Sequence, residues 1–364
     1  MKALNTGYPE KMLFALLRAA LHQRKVEADC FLKATEKDWR ECYSLSVRQG
    51  VAALAWEGIE RLPAGCTPPL NVKLSWALYE NEQKEKYKKH CQAAAEITTL
   101  LAEHGIATLV LKGVGLSRLY PVPEHREGGD IDIYTYSADK SRMTDEEANQ
   151  LADKLMLESG AIMGDPQSQK HSKCGFNGVT FENHRMFLHV AECETTVKAE
   201  KWLKEHIVSE SVELLDGECE IVVPSIDFDS VFIPLHAAQH YGNGLSLKHL
   251  CDWVLLLKHN GMRLPVDLDD KYFRKAINVL TQLCNQFLGM SIPVTEDNEL
   301  ANAMMQEIMY PPYYGKVLEG NSIRLRYARL LNRIHIFRLT HRLLGVSFWG
   351  KIRGLLIRKF KNIK

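Results

Sequence analysis

Two aspartates one residue apart, Asp130 and Asp132, are the residues whose types and spacing most clearly predict chemistry in this sequence. They lie in the segment Gly129-Asp130-Ile131-Asp132-Ile133, whose alternation is typical of a β-strand. Side chains alternate along a strand, so both carboxylates would project from one face, about 7 Å apart along the chain. Neighbouring carboxylates repel each other unless a cation lies between them. The pattern therefore predicts a site for Mg²⁺ or Mn²⁺, hard ions that bind carboxylates, water and phosphate oxygens.

The segment upstream of the aspartates has the features of a phosphate-binding turn. An apolar run over residues 107–111 leads into Lys112, Gly113, Val114 and Gly115, and residues 116–120 are predicted to form a short helix. Glycines let the backbone approach a phosphate, and a helix N-terminus offers free N–H groups. Lys112 either contacts a phosphate or is the solvent-facing end of a buried strand.

A later strand carries a further acidic residue that could join the two aspartates. Residues 178–184 alternate apolar and polar side chains after an Asn-Gly turn, which places Glu182 and His184 on one face of the strand. Glu192 and Glu194 are alternatives for the same role. Arg126 lies four residues before Asp130. It either pairs with the triphosphate group of a bound nucleotide or with the carboxylates, or it is an ordinary exposed arginine.

These elements together resemble the DNA polymerase β-like nucleotidyltransferase superfamily, and within it a bacterial family of uncharacterised nucleotidyltransferases. The resemblance covers residues from about 100 to 260. It rests on Leu-Lys-Gly ending at Gly113, Arg126, the Gly-Asp-Ile-Asp run beginning at Gly129, Glu182-Asn183-His184, and a helical region from His236 to Trp253. It implies transfer of a nucleoside monophosphate from an NTP to a hydroxyl-bearing acceptor, with a divalent metal.

The resemblance also implies roles for individual residues. The catalytic and metal-binding residues would be Asp130, Asp132 and Glu182, with Glu182 as general base or as a ligand of a second metal. The nucleotide-binding residues would be Lys112, Gly113, Gly115, Arg126, Gly129, His184, His240, Lys248 and Asp252.

The helical region holds the last three of these residues. His236 and His240 are one turn apart on a predicted helix, but the glutamate of a zinc-protease helix is missing between them, so we do not predict a zinc site. His240, Lys248 and Asp252 would line a cleft between this region and the catalytic sheet. A structural salt bridge between Lys248 and Asp252 is the alternative.

Composition and cysteine usage are those of a soluble cytoplasmic protein. Apolar residues make up 46% and charged residues 25% of the chain, and no run of eighteen apolar residues occurs. The N-terminus lacks the pattern of a signal peptide. Nine scattered cysteines without a Cys-x-x-Cys pair indicate reduced thiols rather than disulfides or a zinc site.

The net charge of +1 is unevenly distributed along the chain. Residues 321–364 contain twelve lysines and arginines and no acidic residue, whereas residues 1–320 contain 34 basic and 45 acidic side chains. Apolar residues at helical spacing between 348 and 363 predict an amphipathic tail. It either packs on the acidic body or contacts nucleic acid or an anionic membrane.

The predicted fold class is α+β, with a small mixed sheet flanked by helical regions. The predicted regions are residues 1–104 (helical), 105–225 (nucleotidyltransferase core) and 226–364 (helical with a basic tail). Two other functions stay open: a non-catalytic nucleotide-binding relative, which Val114 in the turn would allow, and an interaction protein that acts through its basic tail.

Overall fold

The computed structural model describes residues 7–163, 171–190, 193–242, 244–310 and 323–347. The chain divides into two units. Among the described residues, the sheet unit contains residues 7–187 and 207–229, and the helical unit contains residues 188–206 and 230–347. Each unit is built from separate stretches of the chain. The division into residues 1–104, 105–225 and 226–364 stays a prediction.

Four α-helices precede the first strand in the described residues. They are α1 (Tyr8–His22), α2 (Glu36–Arg48), α3 (Ala52–Glu60) and α4 (Leu70–Ala102). α4 begins after Pro69, and the chain leaves it through Gly105, whose φ of +72° favours glycine. The sequence predicts residues 72–104 for this helix, so its existence is confirmed and each end is shifted by two residues.

Five strands of the described chain form a mixed sheet in the order β1-β2-β5-β4-β3. β2 and β5 run parallel, and the other neighbours are antiparallel. The strands are β1 (Ile106–Val110), β2 (Ile131–Ser137), β3 (Ile162–Met163), β4 (His171–Phe176) and β5 (Val179–His184). The predicted α+β class is thereby confirmed. β2 begins at Ile131, so Asp130 lies just before the strand rather than in it.

Two helices and a hairpin complete the sheet unit. α5 (Val114–Ser117) follows β1, two residues earlier than predicted, and α6 (Asp145–Glu158) follows β2. β6 (Ser209–Leu214) and β7 (Cys219–Pro224) form a separate two-stranded sheet. A hydrophobic core joins α4, α6, β7 and the large sheet, with buried side chains that include Ile97, Ile133, Ala152, Phe181 and Val223. Because Phe181 faces this core, its neighbour Glu182 projects from the opposite face of the sheet.

β4 and β6 are missing from the prediction because neither has a strand pattern of its own. β4 is a polar stretch with Lys173 and Gly175, and most of β6 is exposed. Such segments become strands because they pair with a neighbour across a tight turn. For β4 that turn is Asn177-Gly178, where both residues have positive φ.

The remaining helices follow in chain order. They are α7 (Glu194–Glu205), α8 (Ile226–Gln239), α9 (Leu247–His259), α10 (Lys271–Leu288), α11 (Asn298–Met309) and α12 (Ile323–Leu344). α10 has its predicted bounds. Its N-cap Asp270 accepts backbone hydrogen bonds from Tyr272 and Phe273, and it ends at Gly289 with a φ of +76°.

The basic tail is described as far as residue 347. At the end of α12, Leu343 and Leu344 are buried and Arg342 lies 3.0 Å from Glu299. The predicted amphipathic segment, residues 348–364, lies outside the described residues, so its partner stays a prediction. Among the described helices, none is long and apolar enough to cross a membrane. All nine cysteines are free thiols in the structure, and eight of them are buried. Their reduced state stays a prediction.

Candidate active site

The register of the sheet places a carboxylate row beside the start of β2. Asp132 on β2 is directly opposite Glu182 on the parallel strand β5, and Glu182 is directly opposite Lys173 on β4. Directly opposed residues project from the same face of a sheet. The predicted pair Asp132 and Glu182 therefore comes together, although fifty positions separate the two residues in the sequence.

Asp132 is buried and held by two donors on one carboxylate oxygen. Lys112 Nζ lies 3.1 Å and His184 Nε2 2.9 Å from Oδ1, and the residue is 2% exposed. Burial alone would raise the pKa of Asp132, but the charge of Lys112 and the hydrogen bond from His184 lower it well below its usual range. Asp132 is therefore a fixed anion. Lys112 turns toward this carboxylate, rather than being only the solvent-facing end of a strand.

His184 is buried between two hydrogen-bond acceptors. Its Nε2 faces Asp132, and its Nδ1 lies 3.3 Å from the carbonyl oxygen of Met186. Because an ionised carboxylate can only accept, Nε2 carries a proton and donates it to Asp132. His184 therefore fixes the orientation of this carboxylate.

Asp130 and Glu182 share a lysine as their partner. Lys173 Nζ lies 3.4 Å from Asp130 Oδ2 and 3.4 Å from Glu182 Oε1. His171 and His184 are also near Glu182, at 3.5 Å and 3.7 Å. Burial and the charge of Asp132 raise the pKa of Glu182, but its contacts with His184 and His171 outweigh them and lower it. All three predicted carboxylates, Asp130, Asp132 and Glu182, are thus gathered in one cluster, called here the carboxylate site.

The Lys-Gly turn lies beside this cluster. Gly113 has a φ of +62° and a ψ of −115°, which favours glycine. A Cβ at this position would lie 3.7 Å from the carbonyl oxygen of Asp130 and 3.8 Å from the guanidinium of Arg126. The structure therefore brings Gly113, Arg126 and Asp130 together. Arg126 is 8% exposed and donates to the carbonyl of Glu127 at 3.1 Å, so it is not an ordinary surface arginine.

Gly115, Val114 and Gly129 have different surroundings. A Cβ at Gly115 would collide with the carbonyl oxygen of Val110, so this glycine lets α5 pack against the end of β1. The side chain of Val114 is buried in the hydrophobic core. A Cβ at Gly129 would meet nothing within 4 Å. Contacts of Gly115 and Gly129 with a nucleotide stay predictions.

The loop before Asp130 is anchored to the N-terminal helices. His125 lies between Glu57 of α3, at 3.0 Å, and Glu80 of α4, at 2.9 Å. Glu127 accepts hydrogen bonds from the Ala53 backbone N–H at 2.9 Å and from the Tyr79 hydroxyl at 2.8 Å. The position of Asp130 is thus fixed on one side by α3 and α4, which the sequence pattern does not reveal.

The donor set of the carboxylate site fits a hard divalent cation. Three carboxylates with no thiol among them are the ligands that Mg²⁺ and Mn²⁺ prefer. A second grouping, His171, Glu182 and His184, has ligand atoms within 4.8 Å of one another and could hold a softer metal. If Nε2 of His184 were the ligand, its hydrogen bond to Asp132 would be lost.

The candidates in the helical unit lie on α8 and α9 or just after α8. His236, His240 and His249 have ring nitrogens within 4.8 Å of one another. His249 stands beside Lys248 in the sequence but has no predicted nucleotide-binding role. Its Nδ1 accepts a hydrogen bond from the Ser246 backbone N–H at 3.1 Å. The proton of the neutral ring is then on Nε2, which disfavours metal binding through that atom.

The predicted nucleotide contacts of His240, Lys248 and Asp252 stay predictions. Asp252 is buried within α9, and Lys248 is half-buried on the same helix. Glu194, one of the alternative third carboxylates, lies at the start of α7 and its side chain is 83% exposed. Glu192 is outside the described residues.

Two residues that contact the carboxylate site are missing from the prediction, namely His171 and Lys173 on β4. The Asn177-Gly178 turn is the signal that could have revealed them. A two-residue turn pairs Phe176 with Val179, and counting outward along both strands then pairs Lys173 with Glu182.

The structure thus combines a mixed sheet, neighbouring carboxylates on two parallel strands and, beside them, a strand, a Lys-Gly turn and a helix. The chain belongs to the uncharacterised nucleotidyltransferase family, whose model matches residues 35–289. Membership supports nucleotidyl transfer as the general activity and implies an NTP substrate. No curated protein and no solved structure matches the chain.

Proposed function

We propose that the protein transfers a nucleoside monophosphate from an NTP to a hydroxyl-bearing acceptor in a Mg²⁺- or Mn²⁺-dependent reaction. The observation that carries the proposal is the gathering of Asp130, Asp132 and Glu182 beside the Lys112-Gly113 turn. The acceptor oxygen would form a bond to the α-phosphorus, and the bond from that phosphorus to the bridging oxygen would break. Pyrophosphate would leave with the electron pair.

The three carboxylates would hold the metal, which when bound would neutralise charge on the triphosphate. Asp132 is suited to a permanent ligand role because its pKa is lowered and it is fixed by Lys112 and His184. Glu182 is less buried and would accept the proton of the acceptor hydroxyl. Its lowered pKa makes it a weak base, so positioning and charge neutralisation would supply more of the catalysis.

The Lys-Gly turn and Arg126 would bind the phosphates. Gly113 brings the backbone close without a side chain in the way, and the Arg126 guanidinium lies next to it. A bulky residue in the turn could have favoured a non-catalytic relative. The burial of Val114 in the core supports a turn that stays open to a phosphate.

Isothermal titration with a non-hydrolysable NTP analogue, with and without Mg²⁺, tests the site. We expect Asp130→Asn to weaken Mg²⁺-dependent binding at least about tenfold, because an anionic ligand is lost. The matched control is Asp139→Asn, beyond the far end of β2, where the carboxylate caps a turn at Ser141. Equal affinities for wild type and Asp130→Asn would contradict the proposed site.

The position of the label after incubation tests the reaction type. We would supply α- or γ-³²P-labelled NTP together with fractionated small-molecule and RNA acceptors. Nucleotidyl transfer moves the α label to the acceptor, whereas phosphoryl transfer moves the γ label. Transfer of the γ label alone would contradict the proposal.

A further inference from the structure

Lys173 is the side chain that links the two more accessible carboxylates of the site. Its ammonium lies 3.4 Å from both Asp130 Oδ2 and Glu182 Oε1, between residues that come from different segments of the chain. An ammonium group in contact with two carboxylates has the surroundings that a bound metal ion would have.

The sheet itself puts Lys173 there. The β4–β5 register places it opposite Glu182, so its contact does not depend on a chance surface conformation. Burial opposes its charge, but Asp130 and Glu182 outweigh that effect and raise the pKa of Lys173. The side chain therefore carries a full positive charge at neutral pH.

The two lysines of the site differ in how firmly they are held. Lys112 contacts the buried Asp132 and its side chain is 22% exposed, whereas the side chain of Lys173 is 49% exposed. A lysine has a flexible four-carbon stem and a compact charge, so its ammonium can move several ångströms without a change in the backbone. Lys173 is the cation of this site that can leave.

We propose that Lys173 is a built-in counter-cation that a divalent metal must displace from Asp130 and Glu182. This inference rests on the function proposed above. A triphosphate offers the displaced ammonium another anion, so the nucleotide lowers the cost of moving Lys173. Metal and nucleotide would then bind cooperatively: weak metal binding by the protein alone, and tight binding when both are present.

Electron paramagnetic resonance of free Mn²⁺ measures metal affinity without any need for turnover. In the absence of nucleotide, we expect Lys173→Met to bind Mn²⁺ about tenfold more tightly than wild type. The substitution removes a positive charge that lies a few ångströms from the metal position in a partly exposed site. Lys173→Arg keeps the charge and should retain the weak wild-type affinity. A merely structural lysine would not raise metal affinity when it is removed.

The control for a general charge effect is Lys140→Met. Lys140 pairs with Asp145 at 3.3 Å and lies beyond the opposite end of β2 from Asp130. Its removal should leave Mn²⁺ affinity within about twofold, since exposed charges farther apart than about 10 Å are screened. Melting temperatures of all variants would show that each is folded.

Repeating the titration with a non-hydrolysable NTP analogue tests the coupling. The analogue should tighten Mn²⁺ binding by wild type about tenfold or more, a typical coupling, and by Lys173→Met much less. Unchanged or weaker Mn²⁺ binding by folded Lys173→Met would overturn the inference. If Asp130→Asn still weakens Mn²⁺ binding in that case, the proposed function stands, whereas loss of both effects contradicts the site itself.

Discussion

The sheet unit contains two buried histidines that each contact carboxylates, and their surroundings differ. His184 lies behind Asp132 in the carboxylate site. His125 lies between Glu57 and Glu80 and, with them, forms what we call the His125 cluster. In both, an imidazole is within 3.0 Å of a carboxylate and is almost fully buried.

The difference lies in how completely the acidic groups are closed off. In the His125 cluster the side chains of Glu57 and His125 are 2% and 4% exposed, and Glu57 and Glu80 also pair with Arg61 and Lys84. In the carboxylate site the side chains of Asp130 and Lys173 are 38% and 49% exposed. A closed cluster satisfies its charges permanently, whereas an accessible one can exchange a partner for a ligand.

Buried histidine–carboxylate contacts therefore do not by themselves indicate chemistry. What marks the carboxylate site is an acidic excess reachable from solvent and neutralised by a movable lysine. Four experiments test this difference between the two clusters.

The largest effect is expected for Glu182→Gln. Loss of the proton acceptor should lower turnover by roughly 10²- to 10⁴-fold, because a base acts in the transition state rather than on the bound NTP. Nucleotide affinity should change much less. Glu213→Gln on the exposed edge strand β6 is the matched control, and stopped turnover in Glu194→Gln instead would move the third carboxylate to another residue.

His125→Ala should act mainly on stability, and any loss of turnover should come through the loop that positions Asp130. Removal of the imidazole leaves Glu57 and Glu80 facing each other in the interior, which should lower the free energy of unfolding by about 3 kcal/mol. Urea denaturation measures the change, with His104→Ala at the exposed end of α4 as the control. A loss of turnover in folded His125→Ala without any loss of stability would break the distinction.

The pH dependence of stability should differ between the two clusters. Burial opposes the charge of His125, but the hydrogen bonds of Glu57 and Glu80 raise its pKa above 6.5. The contribution of His125 to the free energy of unfolding is therefore fully present below about pH 6.5, and it is lost as pH rises through the raised pKa. Asp132, whose pKa is lowered, contributes above about pH 4, and its contribution is lost as pH falls through the lowered pKa.

Urea titrations of wild type and His125→Gln at several pH values measure the first effect. As pH rises from 6 to about 9, the difference in unfolding free energy between wild type and His125→Gln should shrink. The expected decrease is about 1.4 kcal/mol for each pH unit by which the pKa of His125 is raised. A difference that grows from pH 6 to about pH 9 would have the wrong sign for a raised pKa.

The smallest effect is expected for Lys84→Met. Lys84 contacts Glu80 at 2.6 Å, but its side chain is 46% exposed, so its loss should cost only about 0.5 kcal/mol of unfolding free energy. Mn²⁺ affinity should stay unchanged. A gain in Mn²⁺ affinity like that expected for Lys173→Met would show that the His125 cluster is also a metal site.

Local patterns in the sequence are sufficient to predict part of the carboxylate site. Asp-x-Asp and the alternation around Glu182 predict three carboxylates, because the period of a strand is a local property. The Asn-Gly turn contains enough information to place Lys173 opposite Glu182. The contacts of His125 with residues 68 and 45 positions away depend on how helices pack, and no local pattern predicts them.

The anchoring of the loop before Asp130 has a consequence for exchanging parts between members of this family. Ala53, Glu57, Tyr79 and Glu80 hold residues 125 and 127, and Lys86 Nζ contacts the carbonyl oxygen of Gly128 at 2.6 Å. A chimera with foreign N-terminal helices would keep every carboxylate and still misplace Asp130. The helices and the loop must therefore be inherited together, and a fragment that begins at the first strand should bind no metal.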